Sequence, residues 1–69
     1  MNTDTYLTQQ EAAELLRISP RTLERYRVEG SGPRFVKAGR RVLYRRGDLE
    51  AWTQANTFAS TSEVDRARG

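Results

Sequence analysis

The fold is decided by residues 8–30, which read TQQEAAELLRISPRTLERYRVEG. Thr8 and Glu11 have the spacing of a capping box, in which each side chain bonds to the backbone N–H of the other at the start of a helix. Three apolar residues follow at the i, i+3 and i+4 spacing of one helix face, namely Ala12, Leu15 and Leu16. The pattern predicts a first helix over about residues 9–16.

A second helix is predicted after a short break in the apolar pattern. Ser19 is a favourable N-cap, and Pro20 suits the first helical position because its missing N–H would have no partner there. Gly30 can adopt the left-handed backbone that ends many helices. We therefore expect this helix over about residues 20–29, and so short a connection between two helices is typical of a helix-turn-helix.

A β-hairpin and a third helix are predicted next. Residues 34–38 and 42–44 are two short extended runs separated by a turn at Gly39. Their alternation is expected to turn Leu43 outward and to place four side chains on one inward face: Val36, Ala38, Val42 and Tyr44. Asp48 and Glu50 would lie in the first turn of a third helix, where acidic side chains interact favourably with the positive end of the helix dipole. The third helix is therefore expected over about residues 47–55.

The predicted elements make up one small domain. Their order, α-α-β-β-α, is that of a small α+β winged helix-turn-helix, expected over residues 6–55, and a chain of 69 residues has room for a thin core only. Residues 1–5 are polar and are expected to be a flexible N-terminus. Residues 56–69 lose the apolar periodicity and are expected to be a flexible C-terminal tail.

The net charge of +3 is unevenly distributed along the chain. Residues 17–46 contain ten basic and two acidic residues, a net charge of +8, whereas the remainder contains two basic and seven acidic residues. A strongly positive middle flanked by acidic ends favours a polyanionic partner. The alternative is an arginine-rich surface whose only role is solubility.

Composition excludes several classes of function. The chain has no Cys and no His, so neither a disulfide nor a Cys/His metal site is possible, and no cofactor is expected. Catalytic residues are not expected either, because nucleophilic catalysis lacks its usual bases and no glycine-rich phosphate loop is present. With neither a run of about 18 apolar residues nor a signal peptide, we expect a cytoplasmic protein that is not an enzyme and has no membrane partner.

The second predicted helix carries the first set of candidate contacts. Such a helix can lie in the major groove of DNA with its N-terminal residues at the base edges. Arg21 and Arg25 are one turn apart and share a face, and the arginine fork matches O6 and N7 of guanine. The candidates for the recognition helix are Ser19, Pro20, Arg21, Thr22 and Arg25. The alternative is a solvated face with Arg21–Glu24 and Arg25–Glu29 ion pairs.

The hairpin, or wing, carries the second set. The candidates are Lys37, Arg40, Arg41 and Arg45, on or beside its turn. Arg40 and Arg41 are expected at backbone or minor-groove phosphates, where they would add affinity more than specificity. The alternative is an edge strand protected by charge against pairing with another chain.

Seven blocks of sequence, in order, resemble the excisionase-type, MerR-like winged-helix family. The blocks are YLT (6–8), EAAELL (11–16), ISPRTL (18–23), GPRFVK (32–37), GRRV (39–42), YRR (44–46) and DLEAW (48–52). The resemblance covers about residues 6–55 and implies a binder of double-stranded DNA. The chain departs from the family at Leu43, where such wings are commonly polar or basic, and at Gly47, which is often Ser or Glu. Leu43 is a candidate for contact with another protein.

The resemblance implies two functions for a bacterial or phage-encoded, nucleoid-associated protein. The favoured one is an excisionase, or recombination directionality factor, which binds an attachment site cooperatively and promotes excision by an integrase. Its partners would be double-stranded DNA, a tyrosine or serine recombinase, and further copies of itself in head-to-tail association. The alternative is a small AlpA-like transcriptional regulator. A protein-interaction module and an RNA binder also stay open. A ligand-sensing dimer is not expected, because no heptad pattern follows the predicted domain, and no small-molecule ligand is expected.

Overall fold

The computed structural model describes residues 5–62 and 64, and its helices and strands form a small α+β winged helix-turn-helix. The elements are β1 (Tyr6–Thr8), α1 (Gln9–Leu16), α2 (Pro20–Glu29), β2 (Val36–Ala38), β3 (Arg41–Arg45) and α3 (Arg46–Ala55). The predicted fold class is confirmed, with β1 as an additional element before the first helix.

The first two helices begin and end as predicted because local caps fix them. At the start of α1, the Glu11 N–H donates to Thr8 Oγ1 at 3.1 Å and the Thr8 N–H donates to Glu11 Oε1 at 2.9 Å, which completes the capping box. At the start of α2, the Thr22 N–H donates to Ser19 Oγ at 3.1 Å. Gly30 ends α2 with the left-handed φ of 76°.

The turn between the two helices contains a strained residue. Arg17 ends α1 with φ 60° and ψ 40°, and it is the one residue other than glycine with a positive φ in residues 5–62 and 64. Its N–H donates to the carbonyls of Ala13 and Glu14, and the Ile18 N–H donates to Ala13 O at 3.0 Å. These bonds satisfy the last carbonyls of α1 and hold the backbone in a conformation that a side chain disfavours.

The three strands form an antiparallel sheet in the order β1-β3-β2. The sequence analysis did not predict β1, because three residues are too few to show an alternating pattern. β1 exists through its pairing with β3, in which Leu7 lies opposite Tyr44, and the Arg46 N–H extends the pairing by donating to Thr5 O at 2.9 Å. The third strand of the sheet is therefore formed by pairing between residues far apart in sequence.

The register of the hairpin corrects one prediction. Val36 lies opposite Leu43, and residues directly opposite in an antiparallel pair project to the same face. The expectation that Val36 and Ala38 share the inward face with Val42 and Tyr44 is therefore wrong, whereas Leu43 does face outward.

The turn length explains this register. Placing Ala38 and Val42 on one face would need a three-residue loop, but Ala38 pairs with Arg41 across the two-residue turn Gly39-Arg40. Gly39 has φ 63° and Arg40 has no positive φ, as in a type II′ turn. This slip of one residue moves every side chain of β2 to the other face. Phe35 instead lies on the same face as Tyr44, with the two ring centroids 6.4 Å apart, although its side chain remains exposed.

The core is small and draws on all three helices and the central strand. Its fully buried residues are Ala12, Ala13, Leu23, Tyr44 and Leu49, against which Leu7, Leu16, Ile18 and Val42 pack. Trp52 is half-buried at the edge of this core, where its Nε1–H donates to Ser31 O at 3.2 Å and its ring lies 5.8 Å from that of Tyr26. Trp52 therefore ties α3 to the loop after α2.

Tyr44 is buried together with part of an arginine. Its hydroxyl and the Nε of Arg27 have no hydrogen-bond partner among the residues described. Burial raises the pKa of Tyr44, and the attraction of the Arg27 guanidinium, which lies close without the geometry of a hydrogen bond to the hydroxyl, lowers it by less. Arg27 also lies over the Phe35 ring, 5.6 Å from its centroid, so this cation belongs to the packing of the domain.

The ends of the chain lie partly outside the described residues. Residues 1–4 of the predicted flexible N-terminus lie outside the described residues. Residues 63 and 65–69 of the predicted C-terminal tail also lie outside them. In the described part of the tail, Thr61, Ser62 and Val64 have helical backbone conformation. The flexibility of both termini stays a prediction.

We expect Tyr44→Phe to leave the protein at least as stable at neutral pH and more stable than the wild type in alkali. Removing a buried hydroxyl that has no partner costs little. The folded-state pKa of Tyr44 is raised, so its contribution to stability is complete below the unfolded value of 10.0 and is lost as pH rises through the folded value. Urea denaturation at neutral pH and above pH 10 measures this, and parallel losses in both proteins would contradict it.

We expect Arg17→Gly to stabilise the domain by about 0.5–1 kcal/mol, because glycine adopts the left-handed conformation without steric cost but is more flexible when unfolded. Arg17→Ala is the matched control, since it removes the guanidinium and keeps the strained Cβ. Thermal and urea denaturation of the three proteins measure the effect. Equal stabilisation by Ala and Gly would show that charge, and not backbone strain, is responsible.

Candidate nucleic-acid interface

The outer face of α2 presents two arginines that form no ion pair with any of the residues described. Arg21 and Arg25 are exposed and lie one turn apart, opposite the buried Leu23. The ion pairs within residues 5–62 and 64 are Arg45–Asp48 and Arg46–Glu50, both outside α2. The alternative interpretation of this face, with Arg21–Glu24 and Arg25–Glu29 ion pairs, is therefore not observed. The Arg25 guanidinium lies 5.8 Å from the Tyr26 ring centroid, a contact that leaves its N–H groups able to donate.

The N-terminus of α2 is built by the other three candidates. Ser19 Oγ lies 2.8 Å from Thr22 Oγ1 and also accepts the Thr22 N–H, so the two hydroxyls already bond to each other. Pro20 is exposed, and its carbonyl accepts from Gln9 Nε2 at 3.4 Å. The first turn carries no acidic residue, which leaves the positive end of the helix dipole uncompensated. Pro20 has no N–H, and the Thr22 N–H is bonded to Ser19 Oγ, so this end can attract an anion through the helix dipole and the Arg21 N–H.

Further residues on the same face were not among the candidates. An open groove of about 440 Å³ along α2 is lined by Arg21, Thr22, Glu24, Arg25, Val28 and Glu29. Val28 is 74% exposed, the largest exposure of any large apolar side chain in the described part of the chain. The sequence analysis selected contacts by charge and missed Val28, although its place seven residues after Arg21 puts it on the same face.

The wing brings three of its four candidates to the tip. Arg40 lies in the two-residue turn, while Lys37 and Arg41 lie on the strands beside it, and all three are exposed. No ion pair holds any of them within the residues described. Lys37 lies opposite Val42 and Arg41 opposite Ala38, so these two cations project to opposite faces of the hairpin. The tip is therefore positive on both sides.

Arg45 is separated from this group. It lies four residues from Arg41 along β3, about 13 Å away at the usual rise of a strand. Its Nε donates to Asp48 Oδ2 at 2.9 Å and its Nη2 to Asp48 Oδ1 at 3.4 Å. This fork joins the residue before α3 to the first turn of that helix. The fork stabilises the first turn of α3, which starts at Arg46 although Gly47 follows. Because the Arg45 side chain remains 46% exposed, its place among the DNA contacts stays a prediction.

The described residues offer no centre for metal chemistry. No group of three or more His, Cys, Asp or Glu side chains that could hold a metal ion occurs among them. No helix in the same part of the chain is long and apolar enough to cross a membrane. The chemistry that this surface offers is hydrogen-bond donation and positive charge.

Comparison with known families agrees with this geometry. A family model described as a helix-turn-helix domain matches residues 6–57, about three quarters of the chain. That family includes small excisionase-like and AlpA-like DNA-binding proteins, and it is a non-catalytic, DNA-binding kind of protein. No curated protein matches the chain. The match supports sequence-specific binding of DNA.

We expect mutations on α2 and on the wing to have different effects on DNA binding. Arg21→Ala or Arg25→Ala should weaken binding to the preferred duplex more than binding to random DNA, by about 1–3 kcal/mol for a lost guanine contact. Arg40→Ala combined with Arg41→Ala should weaken all duplexes about equally. It should also make the slope of log K against log salt shallower by up to about 2.

Fluorescence anisotropy with both duplexes at several salt concentrations measures these effects. Circular dichroism provides the control for folding, which we expect to be unchanged because the four side chains are exposed. If neither set of substitutions alters binding, the docking face lies elsewhere on the domain.

Proposed function

Because the chain belongs to the helix-turn-helix domain family, we propose that it is an excisionase, a recombination directionality factor of the MerR-like winged-helix type. It binds an attachment site on double-stranded DNA cooperatively and promotes excision by a tyrosine or serine integrase in a bacterial cytoplasm. The observation that carries the DNA-binding role is that the exposed arginines on α2 and the exposed cations at the tip of the wing form no ion pair within residues 5–62 and 64. The excisionase subtype is supported by the ordered blocks of sequence that resemble such proteins.

The two surfaces have separate tasks in this proposal. Arg21 and Arg25 donate their forks to guanine O6 and N7 in the major groove, and the positive end of the α2 dipole lies beside a phosphate. Arg40 and Arg41 contact phosphates beside the minor groove. Contacts of the first kind carry sequence information, whereas those of the second kind fix the position of the domain on the duplex.

Cooperation between copies follows from the size of the module. A single module of this kind covers about 600–1,000 Å² on DNA, so its affinity for one site is modest. Adjacent sites bound by neighbouring copies in head-to-tail association would raise the occupancy. The outward face of the sheet suits such a contact, because Tyr6, Val36 and Leu43 lie on it and not in the core. We assign to this face the contact between neighbouring copies, which accounts for an apolar residue at position 43 in a basic wing.

A small AlpA-like transcriptional regulator is the second candidate, because the same family includes such proteins. It would use the same two surfaces on a promoter. The number and placement of the complexes on DNA therefore separate the two functions.

We expect a gel-shift titration on DNA that flanks the gene, including an attachment site, to give a ladder of complexes that random DNA does not give. The log–log salt slope of the first complex should be about −4 to −5 if about four to six phosphates are neutralised. A single complex at a promoter would favour the regulator. Absence of any complex at low salt would contradict DNA binding.

Leu43→Ser is the matched variant for cooperation. Leu43 is half-exposed on the outward face, so the variant should fold and form the first complex at the wild-type concentration. The later complexes should need higher concentrations, because neighbouring copies lose an apolar contact. An unchanged ladder would show that the outward face of the sheet does not join the copies.

A further inference from the structure

Val28 is an apolar residue in the middle of a polar surface. It is 74% exposed, whereas Leu23 of the same helix is fully buried, so it contributes almost nothing to the core. Single exposed apolar residues are common and need no function in general. Val28 differs because it lies in the groove along α2 beside Arg21 and Arg25, on the face that the proposed function places against bases.

The spacing on α2 places Val28 in a row of potential contacts. Arg21, Glu24, Arg25 and Val28 lie at i, i+3, i+4 and i+7, which is the spacing from which the recognition helix of a homeodomain reads the major groove. At 1.5 Å per residue the row is about 10 Å long, close to the length of three base pairs. Val28 is thus the last member of a row that starts with an arginine.

The charges beside Val28 indicate which part of the duplex it meets. Glu24 and Glu29 line the same groove and are exposed, and neither forms an ion pair within the residues described. A free carboxylate beside a phosphate is repelled, whereas a carboxylate at a base edge can accept from the amino group of cytosine. This end of α2 therefore fits over base edges and not over the sugar–phosphate backbone.

We infer that Val28 recognises the C5-methyl group of a pyrimidine in the major groove, an inference that rests on the proposed DNA-binding function. The valine methyl groups cannot form hydrogen bonds, and the one apolar group that standard base pairs present in this groove is the methyl of thymine. The 5-methyl group of methylated cytosine occupies the same position and has the same chemistry. Through Val28, the affinity of the protein for the base at one position of the site thus depends on a methyl group.

The test begins with selection of preferred duplexes from a random pool by the wild-type protein and by two variants. Val28→Ser removes both methyl groups, whereas Val28→Thr keeps one, and Ser, Thr and Val have similar helix propensities. The wild type should select thymine or its pairing partner at one position, and Val28→Ser should lose that preference. Val28→Thr should keep part of it.

The selected thymine is then replaced by deoxyuridine, which removes the methyl group and leaves every hydrogen-bonding group in place. Wild-type affinity should fall about fourfold, the value of one buried methyl-sized group. Val28→Ser should bind the two duplexes equally. Arg25→Ala is the control, since it should weaken both duplexes and keep their ratio. Equal wild-type affinity for thymine and uracil at every selected position would overturn the inference.

A cytosine and a 5-methylcytosine at the same position distinguish the two sources of the methyl group. Tighter binding to methylcytosine than to cytosine would show that the protein reads methylation as well as thymine, while equal binding would identify thymine as the source. The outcomes also separate this inference from the proposed function. Salt-dependent binding without a methyl effect removes the role of Val28 alone, whereas the lack of any binding at low salt removes DNA binding itself.

Discussion

The burial of Tyr44 is the interaction on which the rest of the structure depends. Tyr44 lies at the centre of the middle strand, opposite Leu7 of β1, and its ring packs with Leu23 of α2 and Leu49 of α3 in a core of five fully buried residues. Because a core of this size stabilises a domain by only a few kcal/mol, the burial of one large aromatic side chain provides a substantial part of that stability. This packing joins the wing to the helix-turn-helix, and it makes the outer face of α2 and the tip of the wing parts of one body.

Seven of the nine arginines in residues 17–46 fall into two groups by what surrounds them. Arg27 is packed against Phe35 and Tyr44, Arg45 is held by Asp48, and Arg46 lies 3.6 Å from Glu50. These three stabilise the places where α2, the wing and α3 meet. The arginines at the turn of the wing and on the outer face of α2 have no ion-pair partner in residues 5–62 and 64. The net charge of +8 over residues 17–46 therefore includes three cations that also make contacts within the domain.

Sequence reasoning succeeded where the cause is local. The caps at Thr8 and Ser19 act over three residues, so the bounds of α1 and α2 follow from the sequence. It failed where an element depends on residues far away in sequence. It also failed where the local sequence allows two conformations equally well. β1 needs its partner β3, and the register of β2 depends on whether the turn after Ala38 contains two or three residues. The ion pair of Arg45 with Asp48 was also not predicted, and the role of Arg45 as a DNA contact stays a prediction.

The distribution of charge between α2 and the wing separates specificity from affinity. The exposed face of α2 carries Arg21 and Arg25 together with Glu24 and Glu29, so its net charge is zero. A neutral face gains little from a phosphate backbone of any sequence, and it binds well only where its donors and acceptors meet matching base edges. The tip of the wing has exposed cations alone, which under the proposed function would attract a duplex of any sequence. In the proposed function, the wing therefore locates DNA and α2 selects the site, because the carboxylates that weaken general attraction to phosphates also penalise mismatched bases.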